Sequence, residues 1–245
     1  MQHAMLDLSF LGSGSRGNAA VVGWGSTRIL LDCGFSAREI KRRLALVGLA
    51  PASLRAVLIT HEHTDHVQGL EVFARHHHLP VFLTGRTLSA VRRCGKAPVN
   101  VKLIEPGRGF AVDGIDTLPF ATSHDASQPV GYVFRMPDGC RTGIATDLGY
   151  PNPEAVAALA GCDYLGLEAN HDPSLLRDGP YPPRLKNRIR SSRGHLSNQD
   201  AAALLPRIQN VTTRQQQKAK IVTTWRTEAA EQPDAVARLK VCHEL

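Results

Sequence analysis

Three histidines and one aspartate fall within six residues, His61-Glu62-His63-Thr64-Asp65-His66, directly after the apolar run Ala56–Thr60. Imidazole and carboxylate are ligands for Zn²⁺, Mn²⁺ and Fe²⁺ alike, so the segment points to divalent metal without naming the ion. If the apolar run is a strand that continues into the cluster, His61 and His63 point the same way and reach one ion. A turn into a helix then aims Asp65 and His66 at a second point nearby. Two adjacent metal positions follow, and the chain has to fold so that this strand end forms a site.

The surrounding sequence alternates between two periods. Residues 5–11, Ala19–Gly23, Arg28–Asp32 and Pro80–Leu83 read as strands, with Trp24–Thr27 joining the second and third as a hairpin. Ser36 caps a helix over Ala37–Val47 that Gly48 stops. Val67–His76, Leu88–Cys94, Glu154–Ala160 and Gln199–Leu205 have helical spacing. Residues 101–104, 109–113, 115–121 and 130–136, then Arg141–Ala145 and Tyr164–Glu168, are strand-like. Strands with helices interspersed in both halves predict an α/β sandwich, read as one domain over 1–245. Residues 178–193, with three prolines and several cations, read as an exposed basic excursion.

A chain of 245 residues buries a core without covalent staples. Its five cysteines are odd in number and scattered without a CxxC pair, which predicts free thiols and a cytoplasmic setting. No apolar run is long enough to span a bilayer, so no membrane partner is expected. The net charge of +7 favours a polyanionic partner. Arg184, Lys186, Arg188 and Arg190, followed by Arg193, precede His195 and have a spacing suited to phosphates along a nucleic-acid strand. Gly12–Asn18, with Ser13 and Ser15, is a turn-forming loop that can offer hydroxyls and backbone N–H groups to an anion. His76, His77 and His78 read as a solvated helix end.

The H-x-H-x-D-H pattern after a strand resembles the signature of the metallo-β-lactamase superfamily. Further segments narrow the resemblance: Gly12–Asn18, Ser123-His124-Asp125-Ala126, Pro129-Val130-Gly131-Tyr132, Thr146-Asp147-Leu148-Gly149, Leu167–Asp172, Gly179-Pro180-Tyr181-Pro182 and Gly194-His195-Leu196-Ser197-Asn198. In this order they look like the WalJ/YycJ (VicX) branch, which is regarded as DNA exonucleases. The resemblance implies an α/β fold of four layers, the αββα metallo-β-lactamase sandwich. It implies a dinuclear phosphodiester hydrolase acting on nucleic acid, DNA ahead of RNA. His61, His63 and His124 would hold one divalent ion (zinc or manganese, with iron as a further option). Asp65 and His66 would hold the second, with Asp147 bridging. Asp65 and His195 would be catalytic, with Glu168 and His171 orienting the ligands. Alternatives on the same fold are a hydrolase of a thioester, lactone or β-lactam, or an impaired nucleic-acid-binding homologue.

The resemblance also expects a late histidine on the second metal, in a segment like Leu-Ala-His-Leu-Ser. This chain has Ile221–Thr227 there. With codons ending in C, reading residues 223–227 one base earlier gives His-His-Leu-Ala-His. Residues 211–231 are therefore read as a local frame slip.

Overall fold

Alternation along the first strands sorts their side chains onto two faces, and both faces are apolar. The computed structural model describes residues 6–209 together with the strands at 220–225 and 237–241. The first half contains β1 (Leu6–Gly12), β2 (Ala19–Trp24), β3 (Thr27–Leu31), α1 (Ala37–Leu46), β4 (Leu54–Leu58), α2 (Thr64–Val67), α3 (Leu70–His76), β5 (Val81–Thr84), α4 (Gly85–Arg93) and β6 (Val101–Ile104). The second contains β7 (Phe110–Val112), β8 (Ile115–Ala121), β9 (Val130–Arg135), β10 (Arg141–Ala145), α5 (Pro153–Leu159), β11 (Tyr164–Ala169), α6 (Pro173–Asp178), α7 (Pro183–Arg190), α8 (Asn198–Gln209), β12 (Lys220–Trp225) and β13 (Ala237–Val241).

The strands form two mixed sheets, in the orders β13-β1-β2-β3-β4-β5-β6 and β12-β11-β10-β9-β8-β7. Val21, Leu30 and Val57 face outward and pack with Ile40, Leu44, Phe73 and Leu88 of the helices. Their neighbours Val22, Ile29, Leu31 and Leu58 face inward and meet Tyr132, Phe134 and Ile144 of the second sheet. On that sheet's far side Val133, Leu165 and Leu167 pack with Leu159, Leu204 and Ile208. Three apolar interfaces between helix, sheet, sheet and helix make the four-layer sandwich that the resemblance implies.

Several boundaries differ from the sequence reading. The predicted helix Val67–His76 is two helices, α2 starting at Thr64 and α3 starting after Gly69. At the break Gly69 N donates to the Cys33 carbonyl at 3.0 Å, and a Cβ on Gly69 would lie 2.2 Å from the Phe35 carbonyl oxygen, so only glycine fits this close approach. Residues 183–190 form α7, with Pro183 in the first turn where its missing N–H costs nothing. Of the segment 211–231, only the backbone of β12 lies within the described residues; it runs parallel to β11, with Trp225 level with Ala169.

The two sheets are fastened where β4 ends. The buried Tyr132 hydroxyl donates to the Ile59 carbonyl at 2.7 Å, and Val130 N donates to the Thr60 carbonyl at 3.0 Å. From the other side, Asn18 N donates to Asp65 O (2.7 Å), Cys33 N to His66 O (2.8 Å) and Gly34 N to Asn18 O (3.0 Å). Gly34 sits so close that an added Cβ would overlap the Asp65 carbonyl at 1.8 Å. Gly34→Ala is therefore expected to cost about 3 kcal/mol by overpacking, or about 6–12 °C in Tm for a domain of this size. Differential scanning calorimetry checks this, and an unchanged Tm would show that the 61–66 segment is not clamped.

Candidate metal centre

Strand direction brings the donors to one edge. β3 and β4 are parallel, so Asp32 and the His61–His66 segment leave them side by side. In the second sheet β8, β10 and β11 run the same way and deliver His124, Asp147 and Glu168 to the facing edge. Asp32 and Asp147 both have left-handed backbone, with φ of 58° and 54°. Such non-glycine residues cost about 1–3 kcal/mol and cluster at functional sites, although aspartate tolerates the region better than most.

Three imidazoles converge first. His61 Nε2 lies 3.0 Å from His63 Nδ1, and His124 Nε2 lies 3.2 Å from the same atom. His66 follows, its Nε2 being 3.0 Å from Asp147 Oδ2. Within ligand reach of one another are His61, His63 and His124; His61, His66 and Asp147; and His124, Asp147 and His195. Asp65 lies at the edge of this set, its Oδ2 being 3.8 Å from His66 Nε2 and accepting from Asn18 Nδ2 at 3.1 Å.

The electrostatics suit a cation. Burial holds His61 well below the usual imidazole range, with positive His66 adding to the effect, and burial also lowers His124. Both stay neutral, with lone pairs free to coordinate. Burial works against charge on His66, but the Asp32 and Asp147 carboxylates outweigh it and raise its pKa well above the ordinary value. The field that favours a proton there also favours a metal ion. Burial likewise opposes charge on Asp147, but His66 prevails and holds the carboxyl well below its usual range. Donors of this kind, neutral imidazole and ionised carboxylate packed within hydrogen-bond distance of each other, fit divalent metal.

His195 and Glu168 form a second cluster against this one. His195 Nδ1 is 2.5 Å from Glu168 Oε1 and 3.2 Å from Asp147 Oδ1. Glu168 is buried, which raises its pKa, and its other oxygen accepts from Leu148 N at 2.8 Å. His171 reaches the neighbouring loop through its backbone, the carbonyl accepting from Asn198 N at 2.9 Å. Its buried Nδ1 makes no hydrogen bond to any donor or ligand among the described residues.

The residues singled out for nucleic acid divide. Ser13 lines a small polar cleft with Asn18, Thr146, Asp147 and Asn170, whereas Ser15 is exposed outside that lining. Arg184 and Arg190 are exposed on α7. Lys186 Nζ donates to the Arg177 carbonyl at 2.6 Å. Arg188 Nε donates to Asp125 at 2.6 Å, and that carboxylate lies 3.3 Å from His124 Nε2.

Three supporting residues escaped the sequence reading. Asp32 Oδ2 contacts His66 Nδ1 at 2.7 Å, and its Oδ1 accepts from Thr60 N at 2.8 Å. Thr60 Oγ1 also lies 3.0 Å from His61 Nδ1. Asn18 Nδ2 meets both Asp65 and His66. The sequence alone makes Asp32 the last residue of a hairpin strand. The signal was its place at the end of a strand, but only the pairing of β3 with β4 sets it under His66. Such partners orient metal-binding imidazoles, and their loss typically costs about 10–100-fold in metal affinity. Asp32→Ala is expected to weaken metal binding by that factor in a chelator-competition titration; unchanged affinity would remove Asp32 from the site.

The profile of the beta-lactamase superfamily domain matches residues 27–216. The exodeoxyribonuclease WalJ of Streptococcus pneumoniae serotype 2 (strain D39) is 37% identical over 203 residues, covering 81% of this chain and 75% of that protein. The exodeoxyribonuclease YycJ of Bacillus anthracis is 35% identical over 199 residues, covering 80% and 75%. Among solved structures, the metallo-beta-lactamase fold protein YhfI of Bacillus subtilis superposes with a TM-score of 0.64 at 14% identity, covering 84% of this chain and 82% of that one.

Proposed function

Because the chain belongs to the β-lactamase superfamily, and within it to the family of the WalJ and YycJ exodeoxyribonucleases, we propose that it hydrolyses phosphodiester bonds at DNA ends with divalent metal at the His61–His66 centre. The observation that carries this is the convergence of His61, His63, His66, His124 and Asp147 into overlapping donor groups beside a basic helix. His61, His63 and His124 would hold one ion. His66, Asp65 and Asp147 would hold the other. Zinc, manganese and iron all suit this donor set.

Divalent ions in such a site supply Lewis acidity toward a phosphoryl oxygen and lower the pKa of an attacking water. The protein supplies the rest. Asp65, held by Asn18 Nδ2, would accept the proton of that water. Glu168 holds His195 at Nδ1, so Nε2 would be the atom to protonate the departing oxygen. Arg184, Lys186 and Arg190 on α7, with Ser13 in the cleft, attract and align the phosphate backbone. Arg188 joins them on exchanging Asp125 for a phosphate. A polar cleft lined by Ser13, Asn18, Thr146 and Asn170 matches a phosphate better than the apolar pocket a lactam or lactone would need. No helix among the described residues is long and apolar enough to cross a membrane.

The test uses metal-stripped protein reloaded with Mn²⁺ or Zn²⁺ and end-labelled single- and double-stranded DNA. Metal-dependent release of nucleotides from the ends is expected, reduced at least about 100-fold in Asp65→Ala. Absence of cleavage with every metal, or cleavage undiminished in Asp65→Ala, would contradict the reading.

A further inference from the structure

Within residues 6–209 the phenylalanine, tyrosine and tryptophan side chains are buried or half-buried with one exception. Tyr150 is 52% exposed, and it follows Asp147 by three residues at the edge where the donors gather. Exposing an aromatic ring to water forfeits burial that a core position would supply. The ring does not owe its exposure to a loose loop. Gly149 N donates to the Ser123 carbonyl at 2.7 Å, which ties the segment to the one bearing His124. Asn152 N donates to the Tyr150 carbonyl at 2.9 Å, and Asn152 Nδ2 donates to the Ala121 carbonyl at 3.1 Å. Asn152 also caps α5, and Pro151 restricts the Tyr150 backbone to extended conformations.

The neighbouring backbone places Tyr150 beside the basic segment. A Cβ on Gly149 would lie 2.5 Å from Gly194 N and 2.7 Å from the Ser192 carbonyl oxygen, so the loop rests against the turn between α7 and His195. In that turn Arg193 donates to the His124 carbonyl at 3.2 Å. An exposed aromatic on a tied loop that rests against the Arg193 turn, next to the donor cluster, has the composition of a single-strand platform, on which bases stack while cations hold the backbone.

We infer that Tyr150 is a binding residue on which the nucleobase beside the scissile phosphate stacks. The inference rests on the nuclease reading above and extends it by naming the base, as well as the phosphate, as something the site recognises. Stacking is tolerant of base identity, so the platform serves an enzyme that removes nucleotides in succession whatever the sequence.

The test pairs residue and substrate. Wild-type protein, Tyr150→Phe and Tyr150→Ala are assayed on single-stranded DNA carrying either a normal terminal nucleotide or an abasic one. Loss of one stacked base typically weakens binding about tenfold or more. The expected result is that wild type and Tyr150→Phe show a KM about tenfold lower on the base-bearing end. Tyr150→Ala should lose this difference with kcat little changed and Tm unaltered. Cleavage in which Tyr150→Ala keeps the preference, or loses affinity equally for both ends, overturns the platform and leaves the nuclease reading standing. A wild-type protein that neither cuts nor binds either strand overturns both.

Discussion

The contact between the Asp32 carboxylate and His66 is the interaction on which the centre depends. It lies beneath the donors, is fully buried, and is completed by Thr60, whose backbone N–H and hydroxyl both reach Asp32. Taking a carboxylate out of water is costly unless its lone pairs are matched. Here Asp32 follows β3, and the groups that match it follow its parallel neighbour β4. Satisfying Asp32 therefore fixes the level of the two strands, the ring plane of His66 and the start of the histidine segment together. Second contacts on the same segment come from Asn18 and from the second sheet through Tyr132 and Val130.

The architecture explains why donors far apart in sequence meet. His61, His124 and Asp147 each come just after a strand end, and strands of a sheet that share a direction end at one edge. This is where binding sites of open α/β sheets form. The layers behind that edge are apolar on both sides, so the polar groups gather at the rim, where metal and phosphate can partner them. Asp32 and Asp147 both take left-handed backbone just past a strand end, and both carboxylates contact His66.

Much of this was legible in the sequence. The alternating and helical periods located most elements, and the density of His61–His66 marked the centre. The order of later motifs brought in His124, Asp147 and His195. What the sequence could not supply was pairing. Asp32, Thr60 and Asn18 carry no signal of their own until β3 lies beside β4 and the β1–β2 loop folds over Asp65. The break at Gly69 is of the same kind, since it answers to the Phe35 carbonyl and not to local propensity. Prolines and cations mark 178–193 as an exposed basic excursion without indicating its helix, which Pro183 opens.

Zinc-edge X-ray absorption on the metal-loaded protein tests the central claim most directly. A donor set of imidazoles and carboxylates predicts a nitrogen and oxygen shell at about 2.0–2.1 Å, with outer-shell scattering from several imidazole rings and no sulfur. The alternative is physically present, because Cys33 follows Asp32 directly in the chain, although burial raises its thiol pKa far above the usual range. A sulfur shell at about 2.3 Å, or a hydrated ion without imidazole scattering, would contradict the assignment of the metal to the His61–His66 centre.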